Sequence, residues 1–336
     1  MKGIRGLGAV AVLSLAGILT LAGCANPQPG QDTTGGSDTG QGTQRSGAQQ
    51  SDITIAVVTH GQPGDAFWDI VKSGADQAGK DVNVRVTYNG DGDPARQSQL
   101  IDNAVARKVD GIVVSMANPD GVEASVRNAV EAGIPVVTIN SGLEQSKEFG
   151  AITHVGQSEE LAGEAAGERL KAAGVRHLIC VVHEAGNVGL EARCNGVRKT
   201  LGGQVENLQV DVSNVADAQN TIKSELLADK SIDGVLTLNP VVAKAAIQAK
   251  QEAGSDAQLA TFDVSADICD AIAAGDMLFA VDQQPYLQGY LPVVFLALKV
   301  RNGNDVGGGL PVYSGPGFVT QENAEQIKQF AERGTR

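Results

Sequence analysis

The side chains best placed to do chemistry in this chain stand where apolar runs end. Asp110-Gly111-Ile112-Val113-Val114 runs into Ser115, and Ile134-Pro135-Val136-Val137-Thr138-Ile139 into Asn140. Later, Asp233-Gly234-Val235-Leu236-Thr237-Leu238 runs into Asn239, and Gln258-Leu259-Ala260-Thr261-Phe262 into Asp263. Amides and carboxylates in such places form hydrogen-bonding forks that accept from and donate to adjacent hydroxyls. That is chemistry of recognition. Bond-breaking chemistry is poorly signalled. The Gly-x-Ser-x-Gly nucleophile turn is absent, no strand leads into Gly-x-Gly-x-x-Gly, and no Walker lysine loop occurs. His183-Glu184 lacks the second His of a zinc-protease helix. The histidines, His60, His154, His177 and His183, do not show metal-ligand spacing. No catalytic residue, cofactor or metal is expected, and the chain is not expected to be an enzyme.

These polar ends need elements to position them. The two segments are near copies, each reading buried strand, helix, buried strand, and each passes through Asn-Pro (Asn118-Pro119, Asn239-Pro240) into an Ala/Val- or Ala-rich stretch. The same alternation runs from residue 52 onward. Phe67, Ile70, Val71, Gly74, Ala75 and Ala78 fall on one side of a predicted helix, as do Leu100, Ile101, Ala104 and Val105 of the next. The predicted strands are nearly continuous Val, Ile and Leu rather than alternating, as in parallel sheets covered by helices on both faces. The fold class is therefore α/β, with two doubly wound parallel-sheet lobes in series. Ligands bind at the carboxyl edge of such sheets, so the two copies predict two walls of one cleft.

Residues 1–23 read as a lipoprotein signal peptide. Lys2 and Arg5 precede an apolar run, and Leu21-Ala22-Gly23-Cys24 matches a lipobox. Cys24 is the expected lipidation site, and residues 24–51, rich in Gln, Gly, Ser and Thr, the expected disordered tether. The expected location is exported and lipid-anchored at the outer face of the cell membrane, or periplasmic in a Gram-negative cell. The formal net charge of −13 argues against a nucleic-acid partner. Export permits a disulfide. Cys180, in a strand, and Cys194, in the next helix, are the expected pair, with free buried thiols as the alternative, and Cys269 is left unpaired.

From Asp52 to about Thr320 the chain resembles the sugar-binding lipoproteins of bacterial ABC importers, of the ribose- and galactose-binding type. The motifs are Ile53-Thr54-Ile55-Ala56-Val57-Val58 before a loop ending in Phe67-Trp68, Ile134-Pro135-Val136-Val137, and Gly156-Gln157 before a helix with Gly163-Glu164-Ala165-Ala166-Gly167. Arg193-Cys194-Asn195-Gly196, Leu238-Asn239, Phe262-Asp263 and Ala280-Val281-Asp282-Gln283-Gln284-Pro285 complete the set. The resemblance implies the type I periplasmic-binding-protein architecture. Its three-segment hinge would cross near Gly156–Ser158, Asp282–Gln284 and Leu310–Val312. The lobes would then be 52–157 with 284–311, and 158–283 with 312–336.

It also implies a sugar or polyol enclosed between the lobes and delivered to the permease of an ABC importer, by a protein that acts as a monomer. The implied ligand residues are Asp65, Phe67, Trp68, Asn140, Gln157, Arg193, Asn239, Asp263 and Gln283, with His60, Ser115 and Glu184 behind them. Aromatic faces pack on the C–H faces of a ring, and the Arg193 fork suits two neighbouring oxygens. Replacing Arg193 by Ala is expected to remove most of the affinity and leave the fold intact. Departures from the ribose type bear on the ligand. Asn140 replaces a carboxylate, Gln157 replaces a small hydroxyl residue, and the loop His60-Gly61-Gln62-Pro63-Gly64-Asp65 is longer. A pentose, a hexose, an alditol and an inositol all stay open. A ligand sensor for a membrane kinase or chemoreceptor is the alternative function, and an exported sugar-acting enzyme a further one.

Overall fold

The computed structural model describes residues 52–62 and 64–336; the signal segment, Cys24 and the tether lie outside the described residues. In the first lobe the chain alternates β1 (Thr54–Thr59), α1 (Ala66–Asp81), β2 (Arg85–Gly90), α2 (Pro94–Ala106), β3 (Gly111–Ser115), α3 (Pro119–Glu131), β4 (Val136–Ile139), the short α4 (Leu143–Ser146) and β5 (Thr153–Gly156). The second lobe follows with α5 (Glu159–Ala172), β6 (His177–Val182), α6 (Val188–Leu201), β7 (Gln204–Gln209), α7 (Val215–Ala228), β8 (Gly234–Thr237), α8 (Pro240–Ala253), β9 (Gln258–Phe262), α9 (Ala266–Ala274) and β10 (Ala280–Asp282). The chain then returns through α10 (Pro285–Asn302) and β11 (Val312–Tyr313) before β12 (Gly317–Val319) and α11 (Ala324–Ala331).

Two six-stranded sheets result, ordered β11-β5-β4-β3-β1-β2 and β12-β10-β9-β8-β6-β7. Every pairing is parallel except β10 with β12. The continuous apolar strands are explained by burial on both faces. Ile55 and Val57 join the core that contains Val71, Ala75, Ala78 and Leu296, whereas Ala56 and Val58 join the one with Ile101, Val122 and Val126. Ile179 and Val181 are divided in the same way from Leu178, Cys180 and Val182. The period-two alternation of a strand sends neighbours to opposite sides.

Three crossings join the lobes. One runs between β5 and α5 and a second between β10 and α10. The third is corrected. Val312 and Tyr313 still pair with β5 in the first sheet, so the chain crosses at Ser314–Pro316 rather than at Leu310–Val312. The end of the chain holds β12 and the amphipathic α11. Runs of two and three residues are too short for their period to be read.

Cys180 and Cys194 are disulfide-bonded, and Cys269 is a buried free thiol. The bond ties the start of α6 to β6 across a sequence separation of 14. Loop-closure entropy for such a span predicts that reduction costs about 3 kcal/mol. Chemical denaturation with and without reductant measures this, and coincident transitions would show that the bond contributes nothing.

Candidate functional site

β4 and β9 lead directly into Asn140 and Asp263, and both residues take positive φ, 61° and 67°. Asn and Asp tolerate this left-handed region better than other non-glycine residues. The two near-copied segments thus bend at the same point, and both side chains line one small cavity between the lobes. Gln283, in the second crossing, links them: Asn140 Nδ2 donates to Gln283 Oε1 at 3.0 Å, and Gln283 Nε2 donates to Asp263 Oδ1 at 2.6 Å. Gln288 Nε2 donates to the backbone and side-chain oxygens of Gln283, both at 3.0 Å, and so fixes it.

Helix caps supply a second set. Asp65 caps α1, accepting from Phe67 N at 2.9 Å, and Asn239 caps α8, accepting from Val241 N at 2.7 Å with Pro240 at the first helical position. Short polar side chains satisfy the free N–H groups of a helix start, and here they also bring the caps to the cavity wall. Asn187 does the same for α6, accepting from Gly189 N at 3.0 Å while its Nδ2 donates to Glu184 Oε2 at 2.7 Å.

Phe67 and Trp68 meet edge to face at 5.0 Å, and Trp68 meets His60 likewise at 4.7 Å. All three line the cavity. Gly61 lies flat against the indole, where a Cβ would fall 2.2 Å from Trp68 Cγ. Trp68 is 5% exposed and belongs to the first-lobe core; Phe67 is the half-buried ring.

Several contacts cross between the lobes. Val188 N donates to Ala117 O at 3.0 Å, Ser141 Oγ donates to Asn187 Oδ1 at 3.3 Å, and His60 Nε2 stands 4.0 Å from Glu184 Oε2. The lobes therefore touch across the cleft. They leave an inner cavity of about 30 Å³ that shares His60, Asp65, Phe67, Glu184, Asn239 and Asp263 with an outer cleft of about 1050 Å³.

Burial sets the charges. It pushes the Asp263 carboxyl up to about 7, against the pull of Arg193 and the Gln283 amide, and it raises Asp65. It lowers His60 and drives His183 down to about 4, so both rings are neutral at pH 7. Among the described residues, no group of three or more His, Cys, Asp or Glu could hold a metal ion.

Of the residues expected from sequence, Asp65, Phe67, Trp68, Asn140, Arg193, Asn239, Asp263, Gln283, His60 and Glu184 all line the inner cavity. Gln157 and Ser115 do not. Gln157 Nε2 donates to Glu159 Oε2 at 2.8 Å, and Ser115 Oγ bonds His60 Nδ1 at 2.7 Å, so both stand one layer behind the wall. Arg193 is present but not free. Its Nε and Nη2 donate to the two oxygens of Glu159 at 2.6 and 3.0 Å, and its guanidinium lies 4.5 Å over the Phe262 ring. The pair is buried, so Arg193→Ala is expected to cost stability as well as affinity. Ser141, His183 and Asn187 line the cavity, and Glu159 backs it, unanticipated. His183 and Asn187 follow the apolar run of β6, and Ser141 adjoins Asn140, so the signal that found Asn239 was available for them.

A family model described as a periplasmic binding protein domain matches residues 55–304. The crystal structure of a carbohydrate transporter from Acidothermus cellulolyticus 11B, in complex with myo-inositol, is 45% identical. It covers 84% of this chain and 99% of its own, with a TM-score of 0.83. The ribose import binding protein of Haemophilus influenzae is 27% identical, covering 81% of this chain and 93% of its own. A xylitol-binding protein of Mycolicibacterium smegmatis is 25% identical over 81% of this chain and 74% of its own. No helix among the described residues is long and apolar enough to cross a membrane.

Proposed function

The chain belongs to the periplasmic binding protein domain family, and on that premise we propose that it captures a small uncharged polyol or sugar between its lobes and delivers it to the permease of an ABC importer. The carrying observation is convergence. Asp65 and Asn140 from one lobe and Asn239 and Asp263 from the other meet at one cavity beside Phe67 and Trp68. Such a set brackets a ring, with hydroxyls held at its rim by amides and carboxylates and its C–H face laid on an aromatic. A cyclic polyol is the favoured ligand, myo-inositol foremost, because the 45% identical protein was crystallised with it.

A thermal-shift screen over pentoses, hexoses, alditols and inositols tests the reading. Ligand at 100 times its dissociation constant adds about 2.7 kcal/mol to the folded state. If none of these compounds moves the midpoint, the reading is wrong. Ligand recovered unchanged after incubation would mark a carrier; turnover would mark an enzyme.

Closure is the proposed working motion. Contacts to both lobes favour the closed form, and the three crossings absorb the movement. Ser314 ties them together: its N donates to Gly156 O at 2.6 Å and its Oγ to Gln283 O at 2.7 Å. Small-angle scattering should show compaction on adding the ligand found in the screen. An unchanged radius of gyration at saturation would refute hinge closure.

The proposal includes an exported monomer held to the membrane by lipid on Cys24, on the strength of Leu21-Ala22-Gly23-Cys24. Mass spectrometry of the membrane-extracted protein reads this directly, since cleavage before Cys24 and diacylation leave a defined mass.

A further inference from the structure

We infer that Glu159 decides what Arg193 does in the site: it aims the guanidinium and cancels its charge, so that the cavity accepts uncharged ligands and rejects anionic ones. The inference rests on the polyol- or sugar-binding reading above and assigns a role to a residue that does not line the cavity.

The geometry is specific. Glu159 is the first residue of α5, directly after the first crossing. Acidic residues in a first turn ordinarily face solvent, where the helix dipole favours them. Its neighbour Glu160 does so, with a half-exposed side chain, but the Glu159 side chain is 6% exposed. Both Glu159 oxygens accept from Arg193, through Nε and Nη2, which leaves Nη1 outside the fork. Gln157, buried at the crossing, donates to the same Oε2 and holds the carboxylate in place. The fork also depends on close approach of α5 to α6. A Cβ on Gly163 would lie 2.1 Å from Arg193 O, and one on Gly196 2.2 Å from Glu160 O.

Charge follows from this arrangement. Among the described residues lining the inner cavity, Arg193 is the one cation. Asp65, Glu184 and Asp263 are acids, and burial keeps His60 and His183 neutral at pH 7. An unpaired guanidinium would attract a phosphate or carboxylate ligand. Matched by Glu159, it keeps the Nη1 donors outside the fork but offers no net charge. An anionic ligand then meets the Glu184 carboxylate and the acidic groups of Asp65 and Asp263 with no free cation to offset them, whereas a neutral polyol meets only hydrogen-bonding partners.

The test compares wild type with Glu159→Gln, which preserves size, using myo-inositol and its monophosphate as titrants in calorimetry. Wild type should prefer myo-inositol by about 100-fold or more. Glu159→Gln should weaken myo-inositol about tenfold and shrink the preference by about tenfold, and Glu159→Asp should restore much of the preference. If both affinities fall together and the ratio holds, Glu159 is only a structural support and the inference is overturned. A second readout needs no ligand. With 15N-labelled arginine, the Arg193 Nε–H, assigned by its loss in Arg193→Lys, should be protected from solvent exchange in wild type and exposed in Glu159→Gln. An unprotected Nε–H in wild type overturns the aiming role. Should wild type bind neither compound, the polyol reading falls, and the Nε–H signal still decides whether Glu159 aims Arg193.

Discussion

Arg193→Ala is expected to lose ligand binding and a large part of fold stability together. The guanidinium is 3% exposed and its partner carboxylate 6%. Truncation leaves Glu159 buried with only the Gln157 amide as a side-chain donor, and it strips the cation from the Phe262 face. Breaking a buried pair from one side costs about 3–5 kcal/mol, because a charge is stranded away from water. Denaturant unfolding of ligand-free protein measures the loss, and titration below the transition measures the affinity. The cause has its own check. Combining Arg193→Met with Glu159→Leu removes both charges and should recover much of the lost stability while binding stays abolished. A double variant no more stable than Arg193→Ala would mean that the stranded carboxylate is not the source.

The pairing of Arg193 with Glu159 marks where reading the sequence stops. The lobes and strand edges were legible because buried parallel strands are written as unbroken apolar runs, and each ends in one polar residue whose position survives errors of a residue or two in the boundary. Asn140, Asn239 and Asp263 were found in this way. Glu159 carries no such mark. An acid in a first helical turn is an ordinary surface feature, and its burial depends on a helix contact made possible by Gly163, one turn along α5, and by Gly196, remote from it along the chain. Gln157 and Ser115 illustrate the converse. Their types and places suit a ligand contact, but Glu159 and His60 reach them first. The third crossing is illegible for a simpler reason, since the two-residue β11 has no period. The positive φ shared by Asn140 and Asp263 was also beyond the sequence, although the residue types that tolerate it were in view.

Asp263→Asn is expected to stabilise the ligand-free protein above neutral pH and to cripple binding. Burial raises the Asp263 carboxyl to about 7 in the folded chain, whereas in the unfolded chain it titrates near its ordinary value of about 3.9. Between these values the folded state holds a proton that the unfolded state has released. Stability contributed by this group therefore falls as pH rises through that window. The deficit reaches on the order of 4 kcal/mol above pH 7. Asn removes it and keeps an oxygen to accept from Gln283. Unfolding both proteins at pH 4, 6 and 8 should show little difference at pH 4 and the largest advantage for the variant at pH 8. Taking the difference cancels His183 and His154, whose folded values near 4 make both proteins lose stability as pH falls below about 6.5. A gap that stays constant with pH would show that Asp263 does not titrate as a buried group. Ligand should reverse the order, because hydroxyls that donate to the carboxylate replace the water it lost on burial. A protein that becomes more stable when this carboxylate is removed, and is overtaken by wild type once polyol is added, holds Asp263 for the ligand and not for the fold.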